Sequence, residues 1–154
     1  MDTAASDRIV KETTMRAPIE RVWGAIADAH AFGEWFGVDF GASQFVPGSP
    51  IEAAITVPEE YAGTRFTISV VEMRAPRYFS FRWHPNAAGD SESLESEPST
   101  LIEFVLDPEG EGTRLTIVES GFENIPEERR AEAFRSNEEG WAIQAARVRE
   151  YVGG

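Results

Sequence analysis

Histidines are the first residues to consider for chemistry in this sequence, which contains two of them, His30 and His84. They are far apart in the sequence, and neither belongs to an HExxH motif or to another cluster with the spacing of metal ligands. His84 follows the strand-like run 79–83 and could act as a base at the mouth of a cavity. A strand-end histidine that faces solvent is the simpler interpretation. No metal site is therefore expected.

Two of the many carboxylates differ from the others because they lie inside predicted strands. Glu119 follows the alternating residues Leu115 and Ile117, so a period of two places it on the same inner face. A carboxylate there could serve as an acid or as an anchor for a ligand, whereas a strand end that turns into solvent would make Glu119 structural. Glu103 stands between two apolar residues and is expected to point outward.

Aromatic side chains are the richest signal, since the 154 residues include 10 Phe and 4 Trp. Nine aromatic residues are spaced too widely for a surface patch: Trp35, Phe36, Phe66, Phe79, Phe81, Trp83, Phe104, Phe122 and Trp141. Each one taken singly is expected to be a core residue. Together they could line an apolar pocket between a curved sheet and a helix. Arg82, His84 and Glu119 are the polar candidates for orienting a ligand in such a pocket.

Composition and motifs exclude several functional classes. The formal net charge of −13 disfavours binding to nucleic acids and to anionic membranes, because both require clustered Lys and Arg. Without cysteine there is no disulfide, thiolate metal site or cysteine nucleophile. No GxSxG, P-loop or GxGxxG motif occurs, and no cofactor is expected. No stretch approaches the ~20 apolar residues of a membrane span, and no signal peptide is visible, so a cytoplasmic protein is expected.

Hydrophobic periodicity predicts the elements that must position these residues. Residues 8–15 alternate and predict a first strand, Pro18 opens a short helix, and a second short helix covers residues 30–36. From residue 38 to residue 121 the period is two, with turn residues between short runs and no intervening helices. Such a pattern predicts an antiparallel meander and an α+β fold class.

A long helix is predicted at the end of the sequence. Asn124 and Glu127 have the spacing of a capping box, and Gly140 could mark a kink or a close approach of the backbone. Apolar residues recur on one face of this segment: Phe134, Trp141, Ala145, Val148 and Val152. A stripe of that length needs a broad apolar surface to cover it, and the sheet is the candidate.

An acidic segment at residues 85–98, PNAAGDSESLESEP, interrupts the meander. It contains one large apolar residue, Leu94, among four carboxylates. We expect a mobile loop between two strands, because surface loops tolerate insertions at small cost, and a lid over a pocket is the alternative. With this insertion, residues 1–154 are expected to form a single domain.

The order of motifs resembles a known family. Residues 17–28 (APIERVWGAIAD) and 32–36 (FGEWF) are similar to the opening of the family related to the activator of heat-shock-protein-90 ATPase, within the START-like (SRPBCC) superfamily. Its later landmarks follow in order at residues 45–48 (FVPG), 112–116 (GTRLT), 120–122 (SGF) and 139–141 (EGW). The resemblance implies a helix-grip fold, in which a curved antiparallel sheet of about six or seven strands surrounds a long C-terminal helix, with two short helices after the first strand.

The resemblance implies functions of three classes. The first is non-catalytic binding of an apolar or amphipathic small molecule between sheet and helix, in a family that includes stress-linked bacterial proteins. The second is a protein-interaction role, as a chaperone-activator-like module or a homodimer, through an exposed apolar patch near Trp35 and Phe36. The third is a cyclase or hydratase type of enzyme, which would need a polar pair such as His84 with Glu119. The family has no universal catalytic residue, so none is assigned, and binding is expected over catalysis.

Overall fold

The computed structural model describes residues 8–57, 59–84 and 99–154. The acidic segment 85–98, with the expectation of a loop or a lid, lies outside the described residues. The described strands are β1 (Arg8–Met15), β2 (Val38–Asp39), β3 (Pro50–Ile55), β4 (Arg65–Arg74), β5 (Tyr78–Trp83), β6 (Thr100–Glu109) and β7 (Gly112–Ser120). The described α-helices are α1 (Ile19–Ala27), α2 (Ala29–Phe36) and α3 (Glu127–Tyr151).

The seven described strands form one antiparallel sheet in the order β1-β7-β6-β5-β4-β3-β2. Strands β2 to β7 are neighbours in the sheet as they are in the sequence, because consecutive strands tend to pair with each other. Strand β1 pairs instead with β7, which places Ile9 opposite Glu119. The sheet curves around α3, so the predicted α+β helix-grip fold is confirmed.

Alternation along the strands separates an inner from an outer face of the sheet. The buried positions of β7 include Leu115, Ile117 and Glu119, while the residues between them are partly exposed. Glu119 therefore lies on the inner face, as its spacing predicts. Glu103 of β6 lies on the outer face, where it accepts a hydrogen bond from the Tyr78 hydroxyl. Burial, and then this hydrogen bond, raise the pKa of Tyr78 above its ordinary value of 10.0.

Helices α1 and α2 follow β1 and lead into β2. Pro18 is the N-cap residue of α1 rather than its first helical residue, so α1 begins one position later than predicted. The Asp28 carboxylate caps the first turn of α2. Helix α2 ends at Gly37, whose φ of 95° lies in the left-handed region that favours glycine. Gly33 allows α2 to approach β2, because a Cβ there would lie 2.3 Å from the carbonyl oxygen of Val38.

Helix α3 covers the inner face of the sheet with the apolar stripe that the sequence predicts. Trp141, Ala145 and Val148 are buried, as is Val152 just past the end of the helix, and Phe134 is partly buried against the core. None of the described helices is long and apolar enough to cross a membrane.

The predicted start of α3 is wrong in one detail. Asn124 is not its cap but ends a short 3-10 turn, Phe122–Asn124, and Pro126 is the N-cap residue. The reason is that Pro126 has an extended ψ of 138°, so the helix begins only after it, at Glu127. Gly140 does not mark a close approach, because a Cβ at that position would meet no atom within 4 Å.

Candidate functional site

Four aromatic rings meet between the sheet and helices α2 and α3. Trp83 of β5 stacks on Trp141 of α3, with ring centroids 5.3 Å apart. Phe36 of α2 lies 6.0 Å from the Trp83 ring and 6.1 Å from the Trp141 ring. Phe66 of β4 lies 5.9 Å from the Trp83 ring and 5.6 Å from the Phe36 ring. We refer to Phe36, Phe66, Trp83 and Trp141 as the aromatic cluster.

The nine aromatic residues that could line a pocket are all buried or partly buried. Eight of them form one network of ring contacts. Besides the four rings of the aromatic cluster, this network contains Trp35, Phe79, Phe81 and Phe104. Phe122 contacts Phe134 near the start of α3, with ring centroids 5.1 Å apart. Whether these rings line a ligand pocket stays a prediction.

Glu119 lies beside the aromatic cluster and is the one fully buried acidic or basic residue of the described part of the chain. Its Oε1 accepts hydrogen bonds from Trp141 Nε1 at 2.8 Å and from Asn137 Nδ2 at 3.1 Å. Its Oε2 accepts from Trp83 Nε1 at 2.8 Å, from Asn137 Nδ2 at 3.0 Å and from Thr100 Oγ1. Both oxygens are therefore held by donors that come from β5, β6 and α3.

The donors around Glu119 match what an ionised carboxylate requires. Indole and amide nitrogens donate only, and a carboxylate has about four acceptor positions, so its hydrogen-bonding capacity is filled. Every one of these donors is electrically neutral. None of the ion pairs between described residues includes Glu119, and these pairs lie at the surface. Among the described residues, the Glu119 carboxylate is thus held by hydrogen bonds from neutral groups.

The other two polar candidates do not join Glu119. Arg82 is exposed and lies on the outer face of β5, because the alternating Phe81 and Trp83 face inward. His84 follows β5 and is partly exposed, and it is not among the partners of Glu119. The hydrogen bonds that hold the Glu119 carboxylate thus come from Trp83, Thr100, Asn137 and Trp141 rather than from His84.

His30 lies away from the aromatic cluster. Its side chain is largely exposed on α2, where its Nε2 lies 3.7 Å from the Glu34 carboxylate one helical turn later. Within the described residues, no group of three or more acidic or histidine side chains is arranged to hold a metal ion.

The sequence interpretation missed Thr100 and Asn137 as partners of Glu119. Asn137 stands four residues before Trp141, and this spacing puts both side chains on one face of α3. That signal was present in the sequence. Thr100 is one of the alternating buried positions of β6. Its neighbours in the sequence do not indicate that a carboxylate lies on the next strand, β7.

Trp35 and Phe36 do not form the exposed apolar patch that would support a protein-interaction role. Trp35 is 4% exposed and Phe36 is 8% exposed, because α2 turns both rings toward the core. The Trp35 indole also donates a hydrogen bond to the Ala25 carbonyl oxygen at 2.8 Å. These two residues therefore give no support to a chaperone or homodimer contact, which stays a prediction.

A family model described as "Activator of Hsp90 ATPase homolog 1-like protein" matches residues 16–153. The chain belongs to this family. The match covers all but the ends of the chain, and it confirms the resemblance drawn from the motifs. The comparison with curated proteins gives no match.

Several solved structures share the fold of this family member. A protein from Arthrobacter aurescens superposes with a TM-score of 0.75 at 17% identity, over 99% of this chain and 89% of that one. Protein MLL2253 from Mesorhizobium loti superposes with a TM-score of 0.70 at 23% identity, over 94% of this chain and 95% of that one. DynU16, from the dynemicin biosynthetic locus, gives 0.69 at 21% identity, and its match covers 94% of this chain but 46% of DynU16. At these identities the likeness shows the fold alone.

Proposed function

We propose that the protein binds an amphipathic small molecule without converting it. The apolar part of the ligand lies against the aromatic cluster, and its polar end meets Glu119. The observation that carries this proposal is the fully buried Glu119 carboxylate, which the indoles of Trp83 and Trp141 hold beside the aromatic cluster.

A buried carboxylate lowers the stability of an apolar core unless its hydrogen bonds and charge are compensated. Moving an ionised group out of water is unfavourable unless hydrogen bonds and charge partners compensate, so such groups are concentrated at functional sites. A role in recognising a polar group explains why a carboxylate occupies this position.

Access to Glu119 is most direct past Trp83. Trp83, Phe66 and Asn137 are partly exposed, whereas Trp141 and Thr100 are buried. If the Trp83 indole moved outward, it would release one acceptor position on Oε2 and uncover the face of Trp141 on which it stacks. A ligand with a hydrogen-bond donor next to an apolar body could then take the place of the indole.

Catalysis by this site is not favoured. Glu119 has its acceptor positions filled by neutral donors, and none of these hydrogen bonds comes from a second titratable carboxyl, imidazole or amine group. General acid–base chemistry normally uses a carboxylate that can reach substrate and exchange a proton. Binding therefore agrees better with the geometry than turnover does.

Two measurements test the proposal. Native mass spectrometry of gently purified protein reports a ligand that co-purifies, and titration with N-phenyl-1-naphthylamine reports the capacity to bind an apolar molecule with one N–H donor. We expect saturable binding of one probe per chain with increased probe emission. Trp141→Phe should weaken probe binding by ~10-fold or more, which corresponds to about 1.4 kcal/mol.

Trp23→Phe is the matched control for that substitution. Trp23 lies on α1, is partly buried, and does not belong to the aromatic cluster. Its substitution should leave the probe affinity unchanged. Absence of both a co-purified mass and probe binding would contradict the proposal, and so would equal effects of the two substitutions.

A further inference from the structure

We propose that the polar end of the ligand is a cation, namely a protonated amine or a related N–H-bearing group. This inference rests on the proposed function, because it names the chemical class of molecule that the Glu119 site selects. It is carried by three observations that are independent of one another: the charge balance at Glu119, the ring faces around it, and the way Trp83 is bonded.

The charge balance at Glu119 is incomplete. Trp83, Thr100, Asn137 and Trp141 satisfy the lone pairs of the carboxylate, but all four are neutral. A buried charge without a counter-charge is unfavourable, and its interactions are stronger in a low-dielectric interior than in water. A bound cation would supply the missing charge. An anionic head group would meet repulsion at the same place, which excludes it.

The aromatic cluster favours the same class of ligand. Aromatic ring faces carry partial negative charge, and Trp attracts cations more strongly than Tyr or Phe does. Trp83 and Trp141 lie parallel within 22° of each other, and Phe36 and Phe66 border them. Buried aromatic faces beside a carboxylate are a combination that suits an ammonium group with an apolar substituent.

The bonding of Trp83 indicates how such a group is accommodated. Trp83 donates one hydrogen bond, to Oε2, and is the more exposed of the two indoles that hold Glu119. An ammonium group has three N–H donors and no acceptor, so one of its N–H groups can take the place of the indole N–H on Oε2. An alcohol can donate a hydrogen bond to Oε2 but carries no positive charge. A carboxylate can provide neither a donor nor a positive charge.

The test compares three eight-carbon ligands that differ in the head group. Octylamine, 1-octanol and octanoate each compete with N-phenyl-1-naphthylamine for the full chain at neutral pH and ~0.15 M salt, where long-range surface charges are largely screened. We expect octylamine to bind ~10-fold or more tightly than 1-octanol, and octanoate to bind most weakly. A tenfold ratio corresponds to about 1.4 kcal/mol.

Variants separate the contribution of Glu119 from that of the overall negative charge. Glu119→Gln should reduce the preference for octylamine over 1-octanol to less than ~3-fold. Glu139→Gln removes the same charge from an exposed position on α3 and should leave the preference unchanged. Trp83→Phe keeps the carboxylate and the Trp141 ring and removes the indole donor that the ligand displaces, so the preference should be retained. Trp83→Phe tests the inference even if Glu119→Gln does not fold, because loss of the preference in this variant would overturn it.

The outcomes distinguish this inference from the proposed function. If neither the probe nor any of the three ligands binds, the proposed function fails and the inference fails with it. If the ligands bind, but 1-octanol or octanoate binds as tightly as octylamine, only the inference is overturned. A preference for octylamine that persists unchanged in Glu119→Gln overturns it as well, because the selectivity then has another origin.

Discussion

The side chain of Glu119 joins parts of the chain that are far apart in sequence. Its two oxygens accept hydrogen bonds from residues of β5, β6 and α3, while its own backbone lies in β7. Hydrogen bonds to a charged group contribute about 1.5–3 kcal/mol each to stability. The same residue that is proposed to bind the ligand is therefore also a structural link between the sheet and its helix.

Replacing Glu119 by alanine tests this link. Glu119→Ala leaves buried donors of Trp141 and Thr100 without an acceptor, so we expect the free energy of unfolding to fall by ~3–5 kcal/mol. Urea unfolding followed by circular dichroism measures the change. Glu139→Ala, at an exposed position of α3, should change stability by less than ~0.5 kcal/mol. A similar stability for both variants would contradict the structural role of Glu119.

The polar candidates show what local sequence can and cannot predict about a site. Alternation from Leu115 placed Glu119 on the inner face correctly, and the same rule applied to Phe81 and Trp83 puts Arg82 outside. The partners of Glu119 could not be derived in this way. Thr100 reaches it across the β6–β7 register, in which Glu119 is opposite Ile102, and register is a property of two strands together.

At the level of elements, the strands and helices follow closely from their periodicity. Alternation predicts strands, and a stripe of apolar residues predicts α3, because both patterns record which side of one element meets the core. Two features depend on more than one element. The pairing of β1 with β7 cannot be predicted from the sequence of either strand alone. The rotation of α3 that brings Asn137 to Glu119 depends on the packing of the whole helix.

Two glycines on different helices provide a test of element packing. Gly33→Ala on α2 places a Cβ 2.3 Å from the Val38 carbonyl oxygen, so α2 and β2 must separate, and we expect a loss of ~1–3 kcal/mol in unfolding free energy. Gly140→Ala on α3 meets no atom within 4 Å and should stabilise the protein by ~0.5–1 kcal/mol.

Urea unfolding of the two variants measures both effects under the same conditions. The opposite signs are the informative result, since each variant adds one methyl group to a helix. Stabilisation by Gly33→Ala would mean that α2 does not lie against β2 as described.

At the scale of the whole molecule, the charge distribution and the aromatic interior both favour a cationic amphipathic ligand. The net charge is −13, and the acidic and basic side chains of the described residues, apart from Glu119, are not buried. A negative field of this kind raises the local concentration of cations. Among the described residues one carboxylate lies inside, at a cluster of ring faces, and it is held only by neutral donors. A chain of this family that binds an amphipathic amine would use both features together.

The most direct test of that account is a nitrogen-15 NMR titration of the indole N–H groups with octylamine. The chain has 4 Trp, and the indoles of Trp83 and Trp141 donate to Glu119, whereas the Trp35 indole donates to Ala25. Phe substitutions at Trp83 and Trp141 assign the signals. We predict saturable shifts of the Trp83 and Trp141 signals, with the Trp83 signal changing most and the Trp23 and Trp35 signals nearly constant. Octylamine binding that leaves the Trp83 and Trp141 signals unchanged, or the absence of any binding, would contradict the central claim.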